Sequence, residues 1–164
     1  MTFFRIKNIK GKEYAYIVEN EWHRKGSRQK VKGYAGRVYG FELKSDTSFM
    51  QFMKIDNVGD YIANNDFKNI VGNLVKWELF KFGISNDEFE IDPINLNIRK
   101  RKKSVALHIN DGFLCSFTLK NLLDFKPGDE QTDGYRLARA FVEAGIKIPQ
   151  DIFVGLFGKL YREL

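Results

Sequence analysis

One stretch constrains the fold more than any other: residues 10–37, KGKEYAYIVENEWHRKGSRQKVKGYAGR. Its side chains alternate in character on either side of Gly26-Ser27. Glycine at the first central position is what a type II′ turn requires, so the stretch reads as a long antiparallel hairpin. In that register residue i stands opposite residue 53 − i, which sets His23 against Lys30, Glu21 against Lys32 and Glu19 against Tyr34. Strand side chains point alternately to two faces. Tyr16, Val18, Trp22, Val31 and Ala35 then form a packing face, with Trp22 expected in the core. His23, Arg28, Lys30, Lys32 and Tyr34 form a cationic, aromatic-studded face, its charge partly cancelled by Glu19 and Glu21. A slip of the turn to Lys25-Gly26 moves the partners but keeps the faces.

Charge along the chain is segregated. Residues 1–44 carry a net +7, residues 45–93 a net −5 and residues 94–164 a net +4. Two basic regions flanking an acidic one go beyond what solubility needs and point to a polyanionic partner, RNA or DNA. The chain has 43% apolar and 15% aromatic residues, enough for one domain or two small ones with a real core. No apolar run is long enough to span a bilayer, so no membrane partner is expected. The opening MTFFRIKNIKGKE interleaves lysines with apolar residues, unlike a signal peptide. A single cysteine, Cys115, excludes an internal disulfide and suits a cytoplasmic protein.

The hairpin carries a resemblance. Lys10-Gly11-Lys12, then Tyr14, Tyr16, Val18 and Glu19, then Gly26, Arg28, Gln29 and Lys30, then Tyr34, Gly36 and Arg37 form a recognisable series. The series resembles the short N-terminal module of insertion-sequence transposases and of a scatter of uncharacterised archaeal proteins. Those transposases continue into a large catalytic core with a spaced acidic triad, for which 164 residues leave no room. The resemblance therefore implies a module that faces nucleic acid, without transposition.

Elsewhere the expected fold class is α+β: an N-terminal antiparallel hairpin or meander, a central helix, a second β meander and C-terminal helices. A first strand over residues 3–9 precedes the hairpin, whose second arm runs on through Val38, Tyr39, Phe41 and Leu43. Residues 45–58 read as a connector anchored by Phe49, Phe52 and Met53, dividing a basic module at 1–44 from a body at 45–164, two units that can also pack as one. Phe67, Ile70, Val71, Leu74, Trp77 and Phe82 mark a helix over 66–82 that Gly83 stops. Glu78 falls in its apolar stripe, read as an edge position paired with a nearby lysine or with residues 99–103. Ile94, Leu96 and Ile98, then Val105, Leu107 and Ile109, then Asn110-Asp111-Gly112 outline a meander with Arg99, Lys100, Arg101, Lys102 and Lys103 at one tip. Thr118 is placed to cap a short helix, Asp133 precedes a second and Pro149 opens a third. The last two are apolar-rich, fit for a core or a homodimer surface.

Phosphate loops, zinc-ligand spacings and nucleophile elbows are missing, so neither a catalytic residue nor a metal or other cofactor is expected. The Asp111-Gly112 turn would set His108 opposite Cys115, a thiol–imidazole pair without an orienting third group. The last two helices look like a helix-turn-helix, but the second begins with Asp151 and lacks base-reading cations at its start. The leading expectation is thus a non-catalytic binder of RNA or DNA. Arg5, Lys7, Lys10, Lys12, Arg28, Lys30, Lys32, Arg37 and residues 99–103 would contact phosphates, and Tyr34 would stack. The alternatives are a protein-interaction module using the apolar C-terminal helices and, more distantly, a nuclease-like enzyme.

Overall fold

The chain follows the expected order of strands and helices in the structure, a computed structural model that describes residues 2–162. Strands β1 (Thr2–Ile9), β2 (Lys12–His23) and β3 (Gly26–Gly40) form an antiparallel meander. Helices α1 (Phe49–Met53), α2 (Val58–Asn64) and α3 (Phe67–Lys81) follow, then strands β4 (Glu90–Asp92), β5 (Asn97–Lys100), β6 (Lys103–Ile109) and β7 (Gly112–Leu114). Helices α4 (Ser116–Leu123), α5 (Glu130–Glu143) and α6 (Gln150–Arg162) complete the fold. It is an α+β architecture.

The sheet is a single one, in the order β1-β2-β3-β6-β5-β4, with β7 also on β6. Its joint is a short parallel pairing of Arg37, Val38, Tyr39 and Gly40 with Val105, Ala106, Leu107 and His108. The second arm of the hairpin therefore does not run on past Gly40 but is captured by β6. Val105, Leu107 and Ile109 point from β6 into the main core, against Leu74, Leu119, Leu137, Phe141, Ile152 and Leu156 of the helices. Ala106 points the other way, into a small cluster with Ala15, Ile17, Ala35 and Cys115 that Phe4, Phe113 and Phe117 cover.

Local signals set most boundaries, with some shifts. Ser48 and Gln51 make a capping box on α1, and Asn57 and Asp66 cap α2 and α3, so the connector holds two short helices. Helix α4 begins at Ser116 with Cys115 as its N-cap; Thr118, expected as the cap, sits at the third helical position and accepts from the Cys115 amide. Helix α5 begins at Glu130, capped by Asp129. An added strand, β4, precedes a turn over 93–96, so Ile94 and Leu96 lie outside the meander. The apolar faces of α5 and α6 are spent on the main core through Leu137, Phe141, Ile152 and Leu156.

Two buried carboxylates clamp the helical layer. Glu78 is fully buried, a correction to the edge position expected for it, because all its oxygens are satisfied from three sides. Lys81 Nζ lies 3.1 Å from Oε2, Asn110 Nδ2 donates to Oε2 at 3.0 Å, and the Lys147 amide donates to Oε1 at 2.8 Å. Lys81 in turn sits 3.5 Å from the Trp77 ring centre. The second clamp, Asp133, accepts from the Gly128 amide at 2.6 Å, from the Tyr161 hydroxyl and from Arg136. The Tyr161 bond, foremost, holds this carboxyl below the usual carboxylate range, while burial and then Asp133 itself push Tyr161 up to about 12.

Removing one partner of a buried ion pair strands the other, so Glu78→Ala should cost about 3–5 kcal/mol in urea unfolding. A loss near zero would mean that the three contacts carry no stability. The Asp133–Tyr161 pair stabilises above the ordinary carboxylate pKa of about 4, and that contribution fades as pH falls through the depressed folded value. Tyr161 contributes fully below the ordinary phenol pKa of about 10 and loses its share as pH rises to about 12. Tyr161→Phe should flatten both limbs of the urea midpoint plotted against pH.

Candidate nucleic-acid interface

Pairing register decides which side chains share a face. The hairpin turns at Arg24-Lys25, with His23 opposite Gly26, not at Gly26-Ser27. Gly26 still takes a left-handed φ of 118°, but as the first residue after the loop. Glu21 then faces Arg28 and Glu19 faces Lys30, so acids and bases meet across the ribbon. Two irregularities in β3 follow, one between Val31 and Gly33 and one between Tyr34 and Gly36, each adding a residue on β3 only. Bulges of this kind reverse which face the following side chains take.

The result exchanges two residues between the expected faces. Tyr34 joins Tyr16, Val18, Trp22 and Val31, and its ring lies 5.2 Å from that of Tyr16. Tyr14 joins them at 6.5 Å from Tyr34. Ala35 goes to the opposite side, into the small apolar cluster. Trp22, expected in the core, is 83% exposed on an arm that extends beyond the end of β1.

By direct pairing, one face of the meander carries Arg5 and Lys7 from β1, Lys12, Tyr14, Tyr16 and Trp22 from β2, and Tyr34 and Arg37 from β3. It carries no aspartate or glutamate. Glu13, Glu19 and Glu21 all fall on the other face, because they occupy odd positions in β2. There Lys30 pairs with Glu21 at 3.6 Å and Lys32 with Glu19 at 3.2 Å, and His23 stands 3.7 Å from Glu21. The face expected to be cationic is the one whose charges are mutually cancelled.

The tyrosine-bearing face ends in a groove. Lys12, Tyr14, Tyr34, Arg37 and Tyr39 form one side, and Lys100, Arg101, Lys103, Ser104 and Val105 the other, around a cavity of about 670 Å³. The parallel β3–β6 pairing brings the two basic regions together here. Arg101 and Lys102 form a two-residue turn with φ of 51° and 64°, so the basic tip is a tight corner of the sheet and not an extended finger. Arg37 lies over the Tyr39 ring at 4.8 Å, and Lys100 lies over the same ring at 4.8 Å while bonding Glu88 at 2.8 Å. Lys7 covers Tyr16 at 4.6 Å. Among the described residues no carboxylate pairs with Lys12, Arg101 or Lys103. Partial burial, then the neighbouring Tyr16 and Tyr14, push the Tyr34 hydroxyl above its ordinary value.

Of the cations expected to act together, the structure gathers Lys12, Arg37, Lys100, Arg101 and Lys103 in the groove, with Arg5 and Lys7 on the same face. Lys10 stands at the β1–β2 turn, Lys102 at the basic corner and Arg99 outside the cavity lining. Arg28 and Lys30 point to the opposite side. Tyr14, Tyr16 and Tyr39 were not among the expected contacts. The two-residue spacing of Lys12, Tyr14 and Tyr16 marks them in the sequence, once the register is known.

Two residues considered for chemistry do not meet. His108 stands opposite Phe113, not Cys115, and stacks on it at 4.7 Å. Cys115 is fully buried, and that burial pushes its thiol up, away from the thiolate a nucleophile needs. The described residues contain no cluster of three or more metal-ligating side chains, and no helix among them is long and apolar enough to cross a membrane.

Gly36 is the hinge of the groove. Its φ is 137°, and a Cβ there would meet the Ser104 carbonyl oxygen at 2.5 Å and the Val105 Cα at 2.7 Å. Gly36→Ala should therefore loosen the β3–β6 joint, costing about 1–3 kcal/mol. Faster amide exchange than in the wild type at Phe41, whose amide donates to the His108 carbonyl across this joint, would report it; unchanged exchange would show that the joint yields without opening.

No family model matches the chain, and no curated protein or solved structure matches it either.

Proposed function

We propose that the chain is a non-catalytic nucleic-acid-binding protein that holds the phosphate backbone of RNA or DNA on the open face of its N-terminal meander. One observation carries the reading: five cations and three tyrosines line a single groove, and among the described residues only Lys100 of these cations pairs with a carboxylate, Glu88. Cations without internal counter-charges hold mobile ions that a polyphosphate would release, and that release drives binding. The resemblance of the hairpin to a transposase N-terminal module agrees with the same partner class. The interaction-module alternative loses ground, because the main apolar anchors of α5 and α6, Leu137, Phe141, Ile152 and Leu156, are used inside the core. A nuclease-like reading lacks a reactive centre, since Glu78 is enclosed by its three partners.

Substituting Lys12, Arg37 and Lys103 together by Ala should weaken binding to any DNA or RNA and reduce the slope of log K against log [salt] by roughly two to three units. Substituting Arg28, Lys30 and Lys32 should change the slope less, because two of these already pair with glutamates. A larger effect from the second set would move the interface to the opposite face. Absence of salt-dependent binding to either polymer would overturn the proposal.

A further inference from the structure

We propose that the groove selects single strands over duplexes, with unstacked bases laid on Tyr34, Tyr14 and Tyr16 and the phosphates on Lys12, Arg37, Arg101 and Lys103. This rests on the nucleic-acid reading above and gives it a substrate class.

Rings and cations are interleaved on this face. A duplex presents phosphates outward and keeps its bases stacked within, so a surface built only for duplex backbone needs cations and no aromatic rings. Here the rings alternate with the cations: Lys12, Tyr14 and Tyr16 follow one another on β2, and Tyr34 and Arg37 face Tyr16 and Tyr14 across the β2–β3 pairing. Tyrosine rings are a general stacking platform because every base has a π-face. Tyr34 is half exposed with no helix over it, so its ring is within reach of a ligand.

The Tyr14 and Tyr34 rings line a recess of about 670 Å³ between β3 and the β5–β6 corner, with Lys12 on one side and Arg101 and Lys103 on the other; Tyr16 stands beside Tyr34 at its edge. That volume is of the size of small-ligand clefts. A splayed nucleotide enters such a recess, whereas the convex backbone of a duplex would bridge its rims and leave the rings untouched. The recess is also held in shape before any ligand arrives. Arg37 and Lys100 both pack on Tyr39, whose ring meets the buried Phe89 at 5.4 Å. A preformed site avoids the cost of ordering these long side chains on binding.

The test uses the whole chain at one ionic strength, with fluorescence anisotropy of three probes. These are single-stranded oligothymidylate and oligouridylate of about ten nucleotides, a blunt DNA duplex with the same number of phosphates, and free thymidine and uridine monophosphate as competitors. The single strands should bind at least tenfold tighter than the duplex. Tyr34→Ala, and independently Tyr14→Ala, should each weaken single-strand binding roughly tenfold and leave both the salt slope and duplex binding unchanged. Tyr34→Phe should retain most of the affinity, because stacking does not need the hydroxyl. Equal or tighter duplex binding, or tyrosine variants that lose both polymers in parallel, would overturn the single-strand assignment while leaving a phosphate-binding protein. Competition by the monophosphates at concentrations comparable to the oligomers would also overturn it, in favour of a free-nucleotide site. Binding of none of the probes would remove the reading beneath it as well.

Discussion

The structure depends on the short parallel pairing between Arg37–Gly40 and Val105–His108. Everything N-terminal to it is an antiparallel meander, and everything C-terminal is helices packed on a second, smaller set of strands. Only this pairing makes the two share a sheet. It is possible because Gly36 puts no side chain where the Ser104 carbonyl and the Val105 backbone approach. A parallel connection needs a long crossover, and the residues between Gly40 and Lys103 supply it as α1–α3 and β4–β5. The joint also decides the electrostatics, because it sets the basic corner at residues 100–103 beside Lys12 and Arg37.

The pleat then sorts the charges. Glutamates at positions 13, 19 and 21 share one parity in β2, and Lys12, Tyr14 and Tyr16 share the other. Opposite charges across the ribbon pair on the first face and cancel. On the second face the cations keep their charge, with tyrosines between them. A net charge of +6 says that a polyanion would be attracted; the parity of a strand says where. The bulge between Val31 and Gly33 matters for this reason, since without it Tyr34 would point to the side of the paired glutamates.

Buried carboxylates are often the mark of chemistry; here each of the two buried carboxylates ties separate elements of the helical layer together. Glu78 ties α3 to the β6–β7 turn and to the segment entering α6, through Asn110 and the Lys147 amide. The same turn is pressed against the end of α5, where a Cβ on Gly112 would meet the Val142 carbonyl oxygen at 2.0 Å. Asp133 ties α5 to the end of α6 and to the loop before it. Glu78 accepts two hydrogen bonds and pairs with Lys81, and Asp133 accepts from three partners, so neither carboxylate is left without a partner out of water. The helical layer thus serves as a rigid back for the sheet, and the open face lies where that layer ends.

Local information in the sequence determined a good part of this protein. The alternation in residues 12–40, the apolar stripe of α3 and the Asn110-Asp111 turn each follow from a few neighbouring residues, so the α+β class and the order of its main elements were legible, although the short α1 and α2 in the connector and β4 were not. So was the excess of cations at both ends of the chain. The register of the hairpin was not, because Gly26 can occupy a left-handed position either within a tight turn or just after one. The bulges were not, because an extra residue in β3 is stabilised by what β2, β6 and the small apolar cluster offer it and not by its own sequence. Those two choices moved Tyr34 to the side of Tyr16 and set Glu21 against Arg28 and Glu19 against Lys30; Trp22 is exposed because its arm extends beyond the end of β1. Tertiary structure alone also buried Glu78, because its three partners come from Lys81, Asn110 and Lys147, of which only the first is close in sequence. Strand parity is a local property, but which strand lies beside which is settled by long-range packing, and the groove exists only where the two agree.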